Sequence, residues 1–555
     1  MASNVTAKTS DLQSVESLFL ETTSIKQRKE NGQFLTPEIV AAPMIRWTTF
    51  SYNTSNMLDA GVGTGIFVKH LIKGRRKAGI NTPVFIDCVD IDPHVLTYAK
   101  RGIASRPLEK ITFIEEDFLR FDTSKRYSSI ISNPPYFKHH YISDKAETVS
   151  AVKELSGFSL TVTTNIYCLF MFRARALMAT PGRCAFIVPS EFLNADYGVQ
   201  VKQHLLADKA FKGIIVFNFK TLIFDDSLTT ACIVLFETGN KLSQDIKFVS
   251  LDNPDELDGA LKLFEPRAIG KTRSAHTSTQ TLSFKREQLD AARKWRNYLS
   301  PRQLRSNISA LVSLSKYARC SRGIATGAND FFTLSESKRQ ALGISLDDLL
   351  PCVTKSADVP SLIFTKADFA ALSEKDSRLY LLNPKQPLSP ELTNYLDEGV
   401  EREIHTRHLP SHRETWFLPE RQTPAPIWVM VFSRGRTRFV WNKAGTYHLT
   451  TFHGVYPNPL GTAFFAPLLV YLWSDSCQHM MEEQQRQYGN GLKKYEPRDI
   501  ERILVPDFEA GETAWISEAK RLVKEAEKVH RTKKTIIPLL KKIEDYFSRT
   551  WLAKR

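Results

Sequence analysis

Four consecutive residues, Asn133-Pro134-Pro135-Tyr136, carry the most specific chemistry in the chain. An exocyclic amine on a purine is a weak nucleophile, because its lone pair is delocalised into the ring. An Asn side-chain oxygen and a neighbouring backbone carbonyl can together accept hydrogen bonds from both N–H groups of such an amine. That favours a pyramidal nitrogen whose lone pair can attack an electrophilic carbon. Consecutive prolines have a fixed φ and lack N–H donors, so they hold the Pro134 carbonyl in place. Tyr136 then offers a flat face on which a base stacks, worth about 1–3 kcal/mol. A base inside a duplex cannot reach this geometry and must be extruded. Positioning and electrostatics suffice for the chemistry. No metal is expected: the seven cysteines include no CxxC pair and read as reduced core residues.

The second group of residues could hold the electrophile. Gly61, Gly63 and Gly65 form a GxGxG turn between a short apolar run and Ile66-Phe67. This differs from the GxGxxG of dinucleotide binding. Asp59 precedes the turn, where a phosphate would be unwelcome and a ligand with an ammonium and a sulfonium would be accepted. Asp90, followed by Ile91, ends the next apolar run and is placed to accept hydrogen bonds from both hydroxyls of a ribose. Asp117 ends the third run beside Phe118 and could accept from an adenine amino group. Each acidic end alone also fits an ordinary polar turn. Three in succession line one crevice if the runs are strands of a doubly wound sheet.

The intervening pattern supplies that sheet. Strands are expected at 56–58, 84–90, 111–115, 128–132, 183–189, 213–218 and 231–237, and helices at 64–78, 93–104, 164–180 and 196–209. This alternation predicts an α/β fold with a mostly parallel, doubly wound sheet. The last two strands are candidates for an antiparallel pair. After about residue 240 the texture changes: polar segments over 253–310, recurrent proline over 351–427, a β-like basic and aromatic stretch over 427–458, and helical stretches at 464–487 and 512–548, the latter broken near Pro538. The expected division is a catalytic domain over 1–245 and an α+β domain over 246–555.

These residues, in this order, resemble the class I S-adenosylmethionine-dependent DNA methyltransferases, and in particular the gamma-type, TaqI-like adenine-N6 enzymes of restriction–modification systems, whose target recognition domain follows the catalytic domain. The resemblance implies a site-specific, adenine-specific DNA methyltransferase. By it, Asp59 contacts the methionine amino group of the cofactor, Asp90 its ribose and Asp117 its adenine. The segment Asn31-Gly32-Gln33-Phe34-Leu35-Thr36-Pro37-Glu38 resembles the family's N-terminal motif, with Thr36 and Pro37 at the methionine end. Residues 223–233 resemble the loop and strand that bring a second aromatic, here Phe224, to the flipped base. The glycine loop departs from the Pro-Ala-Cys-Gly version usual in this subgroup. Residues 322–332 and 491–499 resemble short motifs of recognition domains, and no Asp…Glu-x-Lys nuclease motif is evident.

Net charge is +15, with 27 Lys and Arg against 23 Asp and Glu up to residue 240 and 48 against 37 beyond it. A basic surplus in one half fits a polyanion partner. Arg434, Arg436 and Arg438 occupy alternate positions and on a strand would share one face, as a phosphate track or as the charged guard of an edge strand. Arg319, Arg322, Lys493 and Lys494 are further candidates. The expected partners are double-stranded DNA and a separate restriction endonuclease acting on the same site. No apolar run reaches the roughly 18 residues of a membrane span, and the N-terminus lacks a signal-peptide core, so a cytoplasmic protein is expected. The alternatives are an RNA base methyltransferase, a cytosine-N4 or protein-glutamine methyltransferase, a non-catalytic DNA specificity subunit, and an NAD-dependent oxidoreductase.

Overall fold

The computed structural model describes residues 15–136, 144–217, 230–239, 245–265, 280–299, 311–488 and 492–552. The chain packs as two units, 1–301 with 487–491, and 302–486 with 492–555. Among the described residues no helix is long and apolar enough to cross a membrane.

The first unit is built on nine strands: β1 Asn56–Ala60, β2 Val84–Asp90, β3 Glu109–Glu115, β4 Tyr127–Ser132, β5 Met178–Pro189, β6 Phe211–Phe217, β7 Ala231–Thr238, β8 Asp245–Leu251 and β9 Gln280–Lys285. Their order is β3-β2-β1-β4-β5-β7-β6-β8-β9. The first five are parallel, and β7 runs antiparallel to both β5 and β6. All seven expected strands are present, and the doubly wound α/β fold is as expected. Strand order reverses at β1/β4, which is where open α/β sheets bind ligands. The expected boundary near 245 falls inside this unit. β8 pairs with β6 and β9 with β8, so the sheet continues past it and the packing division comes at 301/302. Polar residues interspersed along β8 and β9 hid them from a reading based on apolar runs.

The helices are α1 Val15–Thr22, α2 Ile25–Glu30, α3 Glu38–Thr48, α4 Ile66–Lys77, α5 Pro93–Gly102, α6 Lys145–Ser156, α7 Ile166–Ala176, α8 Gly198–Ala207 and α9 Leu257–Lys262. The start of α5 follows from its sequence: Asp92 accepts from the His94 N–H at 2.9 Å and Pro93 takes the first helical position. Because strand side chains alternate, each strand feeds two cores. Leu58, Ala60, Ile130, Phe186 and Val188 pack with Leu169 and Phe172 of α7. Met57, Ile131, Ala185 and Ile187 pack with Met44 and Trp47 of α3 and with Val68 and Leu71 of α4. Full burial of such side chains contributes about 1.5–3 kcal/mol each.

The second unit holds a five-stranded sheet in the order Ala318–Arg322, Phe452–Pro457, Ile427–Met430, Phe439–Asn442, Ile363–Phe364. Its core includes Leu468, Tyr471 and Trp473 together with Leu522, Ala526, Ile543 and Phe547. Three details differ from expectation. The helical stretch at 464–487 is divided at Ser474, whose extended backbone interrupts it and whose hydroxyl caps the Cys477 N–H at 3.0 Å. The C-terminal pair, Thr513–Arg531 and Ile537–Arg549, is separated by a turn with Lys533 at φ +51°, and Pro538 sits in the first turn of the second helix instead of breaking the first. Finally, Arg434, Arg436 and Arg438 do not share a strand face. Strand Phe432–Ser433 ends there, and the Ser433 hydroxyl closes a turn on Gly435. The chain becomes extended again only at Phe439.

Candidate active site

The ends of β1, β2 and β4 open on a cavity of about 900 Å³. Thr36, Gly61, Gly63, Phe67, Asp90, Ile91, Asp117, Phe118, Asn133 and Pro135 line it. Pro37, Asp59, Gly65, Pro134 and Tyr136 are not among its lining residues. Phe224 lies outside the described residues.

The turn after β1 places Gly61, Gly63 and Gly65 at φ +77°, +55° and +81°, a region side chains disfavour. A Cβ on Gly63 would meet nothing within 4 Å among the described residues, so this glycine leaves open space. A Cβ on Gly65 would stand 2.7 Å from Ile103 Cδ1, so that one serves helix packing. The Gly63 N–H donates to Asp90 Oδ2 at 3.1 Å, and the Asp92 N–H donates to Asp90 Oδ1 at 3.1 Å. Burial pushes the Asp90 carboxyl up from the usual range, and these N–H donors oppose the shift. Ile91 stands beside it, 68% exposed, an apolar plate at the cavity mouth. Asp117 accepts from the Leu119 N–H at 3.0 Å, and Phe118 packs on Phe170 with ring centroids 5.1 Å apart.

Asp59 is fully buried on β1, and neither carboxylate oxygen has a hydrogen-bond partner among the described residues. Burial, and next the charge of Asp90, push its pKa well above the carboxylate range. A buried carboxylate without partners is costly unless a cation or donor completes it.

Asn133 ends β4 under the segment that precedes α3. Its Nδ2 donates to the Phe34 carbonyl at 2.6 Å and to Thr36 Oγ1 at 2.9 Å. A backbone carbonyl can only accept, so this contact decides which end of the amide faces it. Asn133 Oδ1 is then left as a buried acceptor with no partner among the described residues. The Tyr136 N–H donates to the Gly32 carbonyl at 3.0 Å, and the Tyr136 hydroxyl donates to the Ile187 carbonyl at 3.0 Å. Phe34 braces the Tyr136 ring at 5.3 Å. Burial raises the phenol pKa, so the hydroxyl stays protonated as a donor.

Two residues to which the sequence reading gives no role, Gln33 and Arg296, also hold segments near the site. Gln33 Nε2 donates to Asp92 Oδ2 at 3.0 Å, closing the N-terminal segment over the cavity. Arg296 donates to Ser190 Oγ and Thr230 Oγ1, both at 3.0 Å, at the ends of β5 and β7. Burial pushes its pKa down to about 10. Gln33 stood inside a motif already noted, whereas Arg296 had no local signal. Among the described residues no cluster of His, Cys, Asp or Glu could hold a metal ion.

The predicted DNA contacts are dispersed within the second unit. Arg434 is exposed. Arg436 is bonded to Asp475 and to the Trp473 carbonyl. Arg438 is half-buried and donates to the Ser356 carbonyl at 3.2 Å. Lys493 faces Glu482 at 3.8 Å and Lys494 pairs with Glu496 at 2.8 Å. They lie on strand Leu492–Lys494, which pairs with Phe432–Ser433 beside Arg434. Arg319 stacks over Tyr456 at 4.3 Å, and Arg322 faces Glu420 at 3.7 Å.

Comparison with known proteins agrees with this architecture. Residues 87–224 match the family described as Eco57I restriction-modification methylase, and residues 292–545 match the C-terminal domain of the Type II methyltransferase M.Eco57I. Type II methyltransferase M.AccI of Acinetobacter calcoaceticus is 33% identical over 89% of this chain and 89% of its own length. M.XamI of Xanthomonas campestris pv. amaranthicola is 23% identical over 86% and 85%. Among solved structures, the Type IIL restriction-modification enzyme MmeI in complex with DNA aligns with a TM-score of 0.61 at 10% identity, covering 98% of this chain and 79% of that one. The DrdV–DNA complex aligns with a TM-score of 0.52 at 12% identity, covering 92% of this chain and 58% of that one. At these identities the likeness to MmeI and DrdV is one of fold. The open glycine cradle, the unpartnered Asp59 carboxylate and the Asp90 acceptor fit S-adenosylmethionine, the methyl donor of this class. Fold, site and relatives together place the chain in the Type II restriction–modification methyltransferases, DNA-modifying enzymes that use S-adenosylmethionine.

Proposed function

We propose that the protein methylates the N6 amino group of an adenine extruded from duplex DNA. The carrying observation is the Asn133 amide: both of its hydrogens are engaged by Phe34 and Thr36, which leaves Oδ1 as an acceptor in want of a donor. An adenine amino group supplies that donor. In this reading Oδ1 and the Pro134 carbonyl accept its two hydrogens and localise its lone pair, and Tyr136, with Phe224, stacks on the base. Pro135 stiffens the corner. S-adenosylmethionine, when bound, supplies an electrophilic methyl group on a sulfonium. Asp59 faces its ammonium, Asp90 its ribose, and Asp117 with Ile91 and Phe118 its adenine. Thr36, Pro37, Phe67 and the three glycines shape the cradle, and the N-terminus of α4 favours its carboxylate. As nitrogen bonds the methyl carbon, the carbon–sulfur bond would break with its electron pair going to sulfur, leaving a neutral thioether, and the amine would give up one proton to solvent.

Residues 1–301 are the catalytic unit in this reading, and the remainder recognises the target, with Arg434, Arg319, Arg322, Lys493 and Lys494 as candidate contacts. A separate endonuclease cutting the same site is the expected partner, in the cytoplasm. Incubation with labelled methyl donor and, separately, duplex DNA, RNA and protein tests the reading. Label is expected as N6-methyladenine in duplex DNA. Label in N4-methylcytosine, RNA or glutamine would overturn it.

A further inference from the structure

The C-terminal helix Thr513–Arg531 uses its two charges differently. Its three glutamates are all paired: Glu518 with Arg521 and Arg549, Glu525 with Lys542, and Glu527 with Lys443. Lys520, Lys524, Lys528 and Arg531 are exposed, and none has a charged partner among the described residues. Their spacing of four, four and three residues puts them on one helical face, along roughly 16 Å at 1.5 Å per residue. Lys533 and Lys534 in the turn after the helix are also exposed.

Folding does not account for this arrangement. The apolar side of the helix, with Ala519, Leu522 and Ala526, already packs into the core. Like charges three and four residues apart weaken a helix. The helix dipole favours cations only in the last turn, which leaves Lys520 and Lys524 unexplained. The stripe is also firmly held. His530 Nε2 lies 2.9 Å from Asp368 Oδ2 and its Nδ1 lies 3.2 Å from Ser361 Oγ, fixing the helix end on its neighbours.

We propose that this face is a sequence-independent binding surface for the phosphate backbone of duplex DNA, separate from the residues that read the target. The inference rests on the DNA reading above. A linear, rigid row of unpaired cations matches a row of phosphates, and phosphate contacts position a protein without specifying sequence.

The test uses the full chain carrying K520Q, K524Q, K528Q and R531Q together, with duplex DNA binding measured across a salt series. Each lost phosphate contact lowers the slope of log K against log salt by about 0.9, so a decrease of about two to three is expected. The methylated sequence in a plasmid should stay the same, as should the melting temperature. If the quadruple variant fails to fold, the K520Q/K524Q and K528Q/R531Q pairs should each give about half the decrease. An unchanged slope in a folded variant that still binds duplex overturns the stripe and spares the DNA reading. A wild-type protein with no salt-dependent duplex binding overturns both.

Discussion

In the first unit, residues far apart in sequence converge: Thr36, Asp90, Asp117 and Asn133 line one cavity. In the second unit, residues two positions apart diverge: Arg434 is exposed, Arg436 is held by Asp475, and Arg438 is half-buried. The contrast has a physical origin. Glycine permits the left-handed backbone that other residues disfavour and proline fixes φ, both at their own positions, so a GxGxG turn or an Asn-Pro-Pro corner is recognisable locally. An arginine constrains nothing locally. Its role depends on which carboxylate or carbonyl a distant segment brings to it.

The largest effect should come from the converging side. Asn133→Ala removes an acceptor, Oδ1, that has no partner among the described residues. A fall in kcat of about 10²–10³-fold is expected, by analogy with loss of one oxyanion-hole group. Melting temperature should fall modestly, because the Nδ2 bonds to the Phe34 carbonyl and Thr36 are lost as well, and cofactor affinity should fall much less than kcat. A parallel loss of cofactor binding would make Asn133 a cradle residue instead.

The glycine turn gives the next largest effect and separates two uses of one motif. Gly65→Ala should destabilise the fold by more than about 1 kcal/mol, read from denaturant unfolding, because its φ is left-handed and Ile103 occupies the space. Gly63→Ala also strains the backbone but meets nothing, so its main cost should appear in calorimetric cofactor affinity. Equal unfolding costs for the two would remove the distinction.

Asp59 offers a test by pH. Its folded pKa is raised above the unfolded value by burial and by Asp90. Its contribution to stability is therefore fully present below the unfolded pKa and is lost as pH rises towards the folded one. Asp59→Asn should stabilise the cofactor-free protein near neutral pH, flatten this part of the stability profile, and weaken cofactor binding. A less stable variant at neutral pH would mean that the carboxylate already has a compensating partner.

The smallest effects belong to the diverging arginines. Arg434→Ala should lower the salt slope of duplex binding by about one. Arg436→Ala should leave the slope nearly unchanged and lower the melting temperature, because its guanidinium bonds Asp475 and the Trp473 carbonyl. The reverse outcome would restore a phosphate track through residues 434–438.

The same contrast explains what was legible from the sequence. The seven strands and the acidic strand ends were, because β-branched runs and terminal carboxylates are local patterns. The last two strands of the sheet, Asp245–Leu251 and Gln280–Lys285, were not, since their polar residues look like linker and only pairing reveals them. Asn133 could be named from its neighbours, but the orientation of its amide could not. That orientation depends on the Phe34 carbonyl, 99 positions away. Arg296 was invisible for the same reason: its partners Ser190 and Thr230 come from two other strand ends.

The most direct measurement is a structure of the protein with duplex DNA and a non-transferable analogue of its cofactor. An adenine outside the helix stack is expected, its amino nitrogen about 2.9–3.0 Å from Asn133 Oδ1 and its ring against Tyr136. An adenine left stacked in the duplex, or a base that meets Asn133 through Nδ2 instead of Oδ1, would contradict the account.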